Sequence, residues 1–445
     1  MDLQPGRFRR QIPQQPVRGL GHEGPGLRDD CQRRHRLAGQ LTARLFLIMN
    51  IRRFHFALIL LLTLAARSRA EETNFFPVMA WNGVPSDLAA LKQMRECGFT
   101  VAGFTPPAVL KLCRKAGLKA IVSDARVSGY DWNNVNEAAA RSNILSLVKQ
   151  VGKNPAVFGY YLRDEPGAGS FSGLAKVASI LREAAPGKWA YINLFPNYAT
   201  AGQMGVETYP QYVQQFVDTC RPIILSYDHY AFYEGGTMGG DYFRNLEQMR
   251  AAGLSNSLPF WNIVQGMGLL AFREPSIADI RFQIFTSLAY GARGIAYFQY
   301  QASPHAGNFR MSAIDQFGHQ TQTWFSLQNV NLQIAALAPT LLQLTSDDVY
   351  HFGSVPGGCH ASTTNDLISG FDAGDFVAGD FTHRDGSRYV MIVNKNLNGS
   401  IPCLPHYRKA PKSVEAVSPY TGQLTDFSGE AVWLAPGHGV LLKVK

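Results

Sequence analysis

The sequence predicts a (β/α)8 barrel followed by a small antiparallel β-sandwich. Three observations carry the prediction. From residue 75 the chain alternates short apolar runs with amphipathic helical stretches, eight times in succession. A doubly wound open sheet would carry a Gly-rich phosphate loop after its first strand, but Trp81-Asn82-Gly83-Val84-Pro85 stands there. After about residue 346 the pattern changes to short alternating runs, broken by turns such as Arg384-Asp385-Gly386 and Asn398-Gly399.

The chain opens with two segments outside that pattern. Residues 1–48 are rich in Arg, Gln, Gly and Pro and show no sustained apolar period, as in a disordered extension or translation from an upstream start. Residues 49–70 read as a signal peptide: Arg52 and Arg53 form a positive start, Phe54 to Ala66 an apolar stretch, and Ser68-Arg69-Ala70 a small-x-small cleavage site. The apolar stretch is short for a bilayer span, so no stable membrane anchor is expected after cleavage. The expected location is secreted or periplasmic.

The barrel is expected over 71–345. Its strands are read at Phe76–Trp81, Phe99–Phe104, Lys119–Ser123, Val157–Leu162, Ala190–Leu194, Ile223–Tyr227, Pro259–Val264 and Gly294–Phe298. Helical periodicity fills the intervals, with Ser86 as a plausible first cap and Gly98 and Gly117 just past helix ends. A helix from Thr323 to about Leu337 closes the barrel. The β-sandwich is expected over 346–445, with strands such as Val377–Phe381, Tyr389–Asn394 and Val440–Val444.

Composition bounds the function. The chain has 445 residues, 46% hydrophobic and 17% charged, enough for a large core. Its net charge of +9 is confined to residues 1–70, which hold 13 Lys+Arg against 4 Asp+Glu; beyond them stand 29 basic and 29 acidic residues. A neutral body excludes a phosphate-backbone partner, so no nucleic acid is expected. Cys97, Cys113, Cys220, Cys359 and Cys403 match no zinc pattern. Cys97–Cys113 and Cys359–Cys403 are possible disulfides, with buried free thiols an equally good reading. No second His or acid stands at metal-ligand spacing from His229, so neither metal nor cofactor is expected.

In a parallel barrel the carboxyl ends of the strands open into the active-site mouth. The fourth strand runs straight into Asp164-Glu165-Pro166. Two acids there are costly unless solvated, paired or in use. The other strand ends supply Trp81, Asn193, Asp228, Tyr230, Trp261, Gln265 and Gln299. Aromatic faces stack on sugar rings, and carboxylates and amides bind hydroxyls, so a carbohydrate substrate is expected. Glu165 is the candidate general acid, with Asp164 and Asp228 as candidate catalytic partners. Trp81, Asn193, Tyr230, Trp261, Gln265 and Gln299 are candidate substrate-binding residues. Regular alternation places Arg163 on the same side as Glu165, unless a bulge intervenes. The run Gly235-Gly236-Thr237-Met238-Gly239-Gly240 lacks the Lys of a phosphate loop and reads as a flexible lid.

Four stretches carry a resemblance: Gly159-Tyr160-Tyr161-Leu162-Arg163-Asp164-Glu165-Pro166, Tyr191-Ile192-Asn193-Leu194-Phe195-Pro196-Asn197-Tyr198, Leu225-Ser226-Tyr227-Asp228-His229-Tyr230, and Leu288 to Phe298. They resemble the clan A glycoside hydrolases, near the beta-galactosidase-like barrels. The resemblance implies a barrel-to-β-domain order and a strand-four Glu acting as general acid/base, which Glu165 matches. It also implies an Asn before that Glu and a nucleophilic Glu ending strand seven. This chain has Asp164 and Gln265 at those places. An amide is a very poor nucleophile beside a carboxylate, so three routes follow: inversion with Asp228 activating water, substrate assistance with Asp164 orienting an acetamido group, or glycan binding without catalysis.

Overall fold

In a computed structural model of the chain, the described residues are 75–302, 308–427 and 432–445. The predicted extension and signal segment lie outside them.

The barrel strands are β1 (Val78–Gly83), β2 (Val101–Thr105), β3 (Lys119–Val122), β4 (Val157–Asp164), β5 (Trp189–Asn193), β6 (Leu225–Asp228), β7 (Phe260–Gln265) and β8 (Gly294–Phe298). All pair in parallel, in the order β5-β4-β3-β2-β1-β8-β7-β6. The ring closes where the Leu194 N–H donates to the Ser226 carbonyl at 2.8 Å. Helix starts follow side-chain capping, with one shift from expectation. Asp87 rather than Ser86 caps the helix Leu88–Glu96, accepting from Ala90 N at 2.9 Å. Thr208 and Ser276 each form a reciprocal cap with the residue three positions on, opening Tyr209–Cys220 and Ile277–Ala289. Each cap satisfies amides that would otherwise lack a partner, for about 1 kcal/mol.

Side chains alternate between two cores. Met79, Trp81, Val101, Ile121, Tyr191, Trp261, Ile263 and Ala296 fill the barrel interior. Their strand neighbours, such as Val78, Ala102, Ala120, Leu225, Val264 and Ile295, pack outward against the helices. Gly294 makes room for Trp261, since a Cβ there would lie 2.3 Å from the indole.

The C-terminal region comprises β9 (Leu344–Phe352), β10 (Ile368–Phe371), β11 (Phe376–His383), β12 (Arg388–Asn394), β13 (Ile401–Cys403), β14 (Pro405–Tyr407), β15 (Val414–Val417), β16 (Leu424–Asp426), β17 (Val432–Leu434) and β18 (Gly439–Val444). A six-stranded antiparallel sheet runs β16-β15-β18-β12-β11-β9, with β10–β14 and β13–β17 as two-stranded ribbons. β11 shows why the sheet docks on the barrel. Val377 and Phe381 belong to the barrel-side core, while Phe376 and Ala378 belong to a separate core with Tyr350, Ile392 and Leu442. Between Val377 and Phe381, Gly379 lets the helix Ile277–Ala289 approach so closely that a Cβ would sit 2.0 Å from the Ala289 carbonyl oxygen. Arg250 extends the joint, donating to Ser346 Oγ at 2.9 Å and to the Asp347 carbonyl at 2.8 Å.

Cys97, Cys113, Cys220, Cys359 and Cys403 are all free thiols, so neither possible disulfide forms. Among the described residues no helix is long and apolar enough to cross a membrane.

Candidate functional site

β4 delivers its acids through a bulge. Tyr161 pairs with Tyr191, but Arg163 pairs with Ile192 and Asp164 with Asn193. Leu162 is the extra residue, and the slip breaks the alternation. Asp164 therefore shares the inward face of Asn193, while Arg163 lies exposed opposite the outward-facing Ile192. The conflict that regular alternation predicts between Arg163 and Glu165 is thus removed. Glu165 then adopts φ 42°, a left-handed conformation that costs a non-glycine residue about 1 kcal/mol or more. Its N–H donates to the Asn193 carbonyl at 2.9 Å, and Tyr212 holds the next residue by donating to the Pro166 carbonyl at 2.7 Å.

Three acids meet on this side of the mouth. Asn193 Nδ2 donates to Asp164 Oδ1 at 3.0 Å and to Asp228 Oδ1 at 2.8 Å. The amide is oriented from behind: Ser226 Oγ donates to Asn193 Oδ1 at 3.0 Å, and the Tyr191 hydroxyl lies 2.8 Å from Ser226 Oγ. The Glu165 carboxyl lies beside Asp228, and each shifts the titration of the other. Burial, then the Asp164 charge, push the Glu165 carboxyl up from 4.5 to about 7; Asp228 opposes them. Burial also drives Asp228 well above the usual carboxylate range, reinforced by Glu165 and Asp164. Asp164 is raised by burial and held back by Asn193.

Tyrosines surround the acids. Tyr198 and Tyr230 lie near Asp228 and Glu165, and burial raises both hydroxyls. The Tyr230 ring sits 5.6 Å from Phe272 and 5.6 Å from Phe298. Tyr161 stacks on Phe104 at 3.9 Å. His229 is packing: it is buried between Tyr198 and Tyr242, bonds Asn245 through Nδ1 at 2.9 Å, and is lowered by burial to about 4.

The β7 residues take other places. Trp261 is the second residue of its strand, 1% exposed, and packs on Trp189 at 4.9 Å and on Tyr191 at 6.2 Å. It plugs the barrel rather than offering a face to a sugar, because it lies near the start of the strand and not its end. Gln265 does end β7 but is 0% exposed. Its Nε2 donates to the Met267 carbonyl at 3.3 Å and the Arg273 carbonyl at 2.5 Å, and its Oε1 accepts from Phe232 N at 3.4 Å. The amide splices the loops after β6 and β7 instead of facing substrate. Glu274, the next acid along, pairs with Arg310 at 3.4 Å.

Arg310 also pairs with Glu234 in the Gly-rich stretch. That stretch is a hairpin fastened to the β7 loop, with Glu234 N donating to the Ala271 carbonyl at 2.9 Å. It is more anchored than the flexible lid its composition predicts. On the β1–β8 side, Trp81 is 8% exposed and packs against Phe104 at 4.9 Å and Phe298 at 5.5 Å. Gln299 Oε1 accepts from Asn82 Nδ2 at 3.0 Å, leaving Nε2 without a hydrogen-bond partner among the described residues. Among those residues no group of three or more His, Cys, Asp or Glu is arranged to hold a metal ion.

The structure thus brings together Asp164, Glu165, Asn193, Asp228 and Tyr230, and sets Trp261 and Gln265 apart. Sequence reading missed Tyr191 and Ser226 as supports. Their signal was present: each stands two residues before a site residue, on the same inward face.

No protein-family model matches the sequence, and no curated protein matches it by sequence. Solved structures do share the architecture. A protein described as a glycoside hydrolase aligns over 83% of this chain and 92% of its own, at 12% identity and TM-score 0.54. A glycoside hydrolase of family 5 from Bacteroides vulgatus aligns over 83% of this chain and 88% of its own, also at 12% identity and TM-score 0.54. The fold is that of these glycoside hydrolases. A beta-galactosidase from the psychrophilic Marinomonas ef1 aligns over 60% of this chain but only 62% of its own, at 11% identity and TM-score 0.46.

Proposed function

We propose that the protein is an exported glycoside hydrolase that cleaves O-glycosidic bonds of an oligo- or polysaccharide, with Glu165 as general acid. The observation that carries this reading is the Glu165 carboxyl itself, at the mouth of β4 and raised to about 7. An acid with that affinity keeps its proton near neutrality and can give it to a departing sugar oxygen. Tyr198 and Tyr230, which lie beside the acids, supply faces for the ring. Export rests on the signal-like segment at 49–70.

Substrate assistance is the second reading. It is favoured because β7 presents no carboxylate across from Glu165: Gln265 holds backbone and Glu274 holds Arg310. A substrate carrying its own nucleophile, such as a 2-acetamido group, needs no such residue, and Asp164 stands next to Glu165 to orient it.

The test is turnover of aryl glycosides and natural oligosaccharides by the full chain and by Glu165→Gln. The expected result is hydrolysis that falls by about 10³-fold in the variant, within the range of a lost general acid. Glycan binding with no Glu165-dependent hydrolysis would instead identify a non-catalytic carbohydrate-binding barrel.

A further inference from the structure

Asp228 is the most buried acid of the site, and the hydrolytic reading of Glu165 leaves it without a task. Asn193 gathers three acids, bonding Asp164 and Asp228 through Nδ2 and accepting the Glu165 N–H on its carbonyl, and carboxyls crowded in this way share protons because they cannot all ionise together. The positions of Glu165 and Asp228 favour Asp228 as the holder of a proton. Asp228 is 7% exposed at the end of β6, whereas Glu165 is less buried. The charged groups acting on Asp228 are Glu165 and Asp164, both acids. The other titratable groups around it are hydroxyls: Tyr191 from β5, Tyr198 from the loop after β5, Tyr209 and Tyr212 from the helix Tyr209–Cys220, and Tyr227 and Tyr230 from its own segment. Asn193 has already fixed the acceptor end. Its Nδ2 donates to Asp228 Oδ1, and Ser226 prevents the amide from turning over by occupying Asn193 Oδ1. Asp228 Oδ2 is then the oxygen left to carry an O–H.

We propose that Asp228 is a positioning residue that stays protonated and donates its O–H to Glu165, stabilising the Glu165 carboxylate as it forms. The inference rests on the hydrolytic reading above. In the step itself the Glu165 proton passes to the glycosidic oxygen as the C1–O bond breaks with its electron pair on that oxygen, and the O–H electron pair remains on Glu165. Water, directly or after a substrate acetamido group has held C1, forms the new C1–O bond, and the proton it gives up restores Glu165. Asp228 keeps its proton throughout. Its hydrogen bond is stronger to the carboxylate than to the acid, so it lowers the barrier rather than merely holding the ground state. A carboxyl in this role works without ever becoming a base, which assigns Asp228 the opposite protonation state from the one that water activation requires.

The two roles separate in the pH dependence of kcat/KM for Asp228→Asn and Asp228→Ala, with Glu165→Gln as control. An amide still donates, so Asp228→Asn is expected to lose less than about tenfold, with its alkaline limb near that of the wild type. Alanine removes the donor. Asp228→Ala is expected to lose about 10²-fold, as for a deleted transition-state donor, with the alkaline limb moved to higher pH because the Glu165 carboxylate has lost support. Equal and near-complete inactivity of Asn and Ala variants would overturn the proposal and make Asp228 an ionised base. Full activity of Glu165→Gln would instead remove the hydrolytic reading beneath it. Infrared spectra at pH 8 give a readout independent of turnover. A protonated-carboxyl band is expected in the wild type and absent from Asp228→Asn, and its absence from the wild type would also overturn the proposal.

Discussion

The two halves of the barrel mouth are built on opposite plans. On the β4–β6 arc, Asp164 and Asp228 share one amide donor, Asn193, with Glu165 beside them, and among the described residues no cation is hydrogen-bonded to the three. On the β7–β8 arc the charged groups are already matched, Arg310 with Glu234 and Glu274, and Arg273 with Asp279. Its strand-end amide, Gln265, is consumed by backbone groups. The difference teaches where proton chemistry can occur. Crowded acids held by one neutral donor must share protons near neutrality, while ion-paired and amide-spliced loops give a rigid wall with nothing to titrate.

Breaking the acid arc should have the largest effect on activity. Asn193→Ala removes the donor common to Asp164 and Asp228, and is expected to lower kcat by about 10²-fold. Asp164 loses its donor and Asp228 the bond that orients its O–H toward Glu165, so the loss should appear in kcat rather than KM. In the other half the consequences should fall on stability. Trp261→Ala empties the barrel plug and should cost about 3–5 kcal/mol in chemical denaturation. Gln265→Glu puts an acid where two carbonyls expect N–H donors. It should cost about 2 kcal/mol by thermal melting and restore no nucleophile, so hydrolysis should not rise. The smallest effect is a pH trend. Because Glu165 is raised from 4.5 to about 7 in the fold, its contribution to stability is greatest below 4.5 and is lost as pH rises towards 7. Glu165→Gln should therefore match the wild type near pH 4 and melt higher than it at pH 8.

Much of this was legible in residue order, and the exceptions have physical causes. The eight-strand rhythm could be read because each strand is a short apolar run and most helices open on a side-chain cap. Strand six was displaced: expected at Ile223–Tyr227, it runs Leu225–Asp228, which places Asp228 on the strand itself. Asp164 and Glu165 were legible because a strand ending in two acids is costly without a use. The direction of Arg163 was not, since it depends on a one-residue slip against β5. Trp261 was misplaced for a related reason. An aromatic in a strand says nothing of mouth or floor until its height along the strand is known, and it lies at the start. The employment of Gln265 depends on Phe232 and Arg273, which reach it from two loops and leave no mark at residue 265.

The most direct test of proton donation by Glu165 is leaving-group dependence. Glycosides of one sugar, carrying either a dinitrophenyl or an alkyl leaving group, are compared between the wild type and Glu165→Gln. A dinitrophenolate departs without help, whereas an alkoxide needs a proton. If Glu165 supplies that proton, the variant loses about 10³-fold on the alkyl glycoside and far less on the dinitrophenyl one. Equal losses on both would contradict proton donation by Glu165.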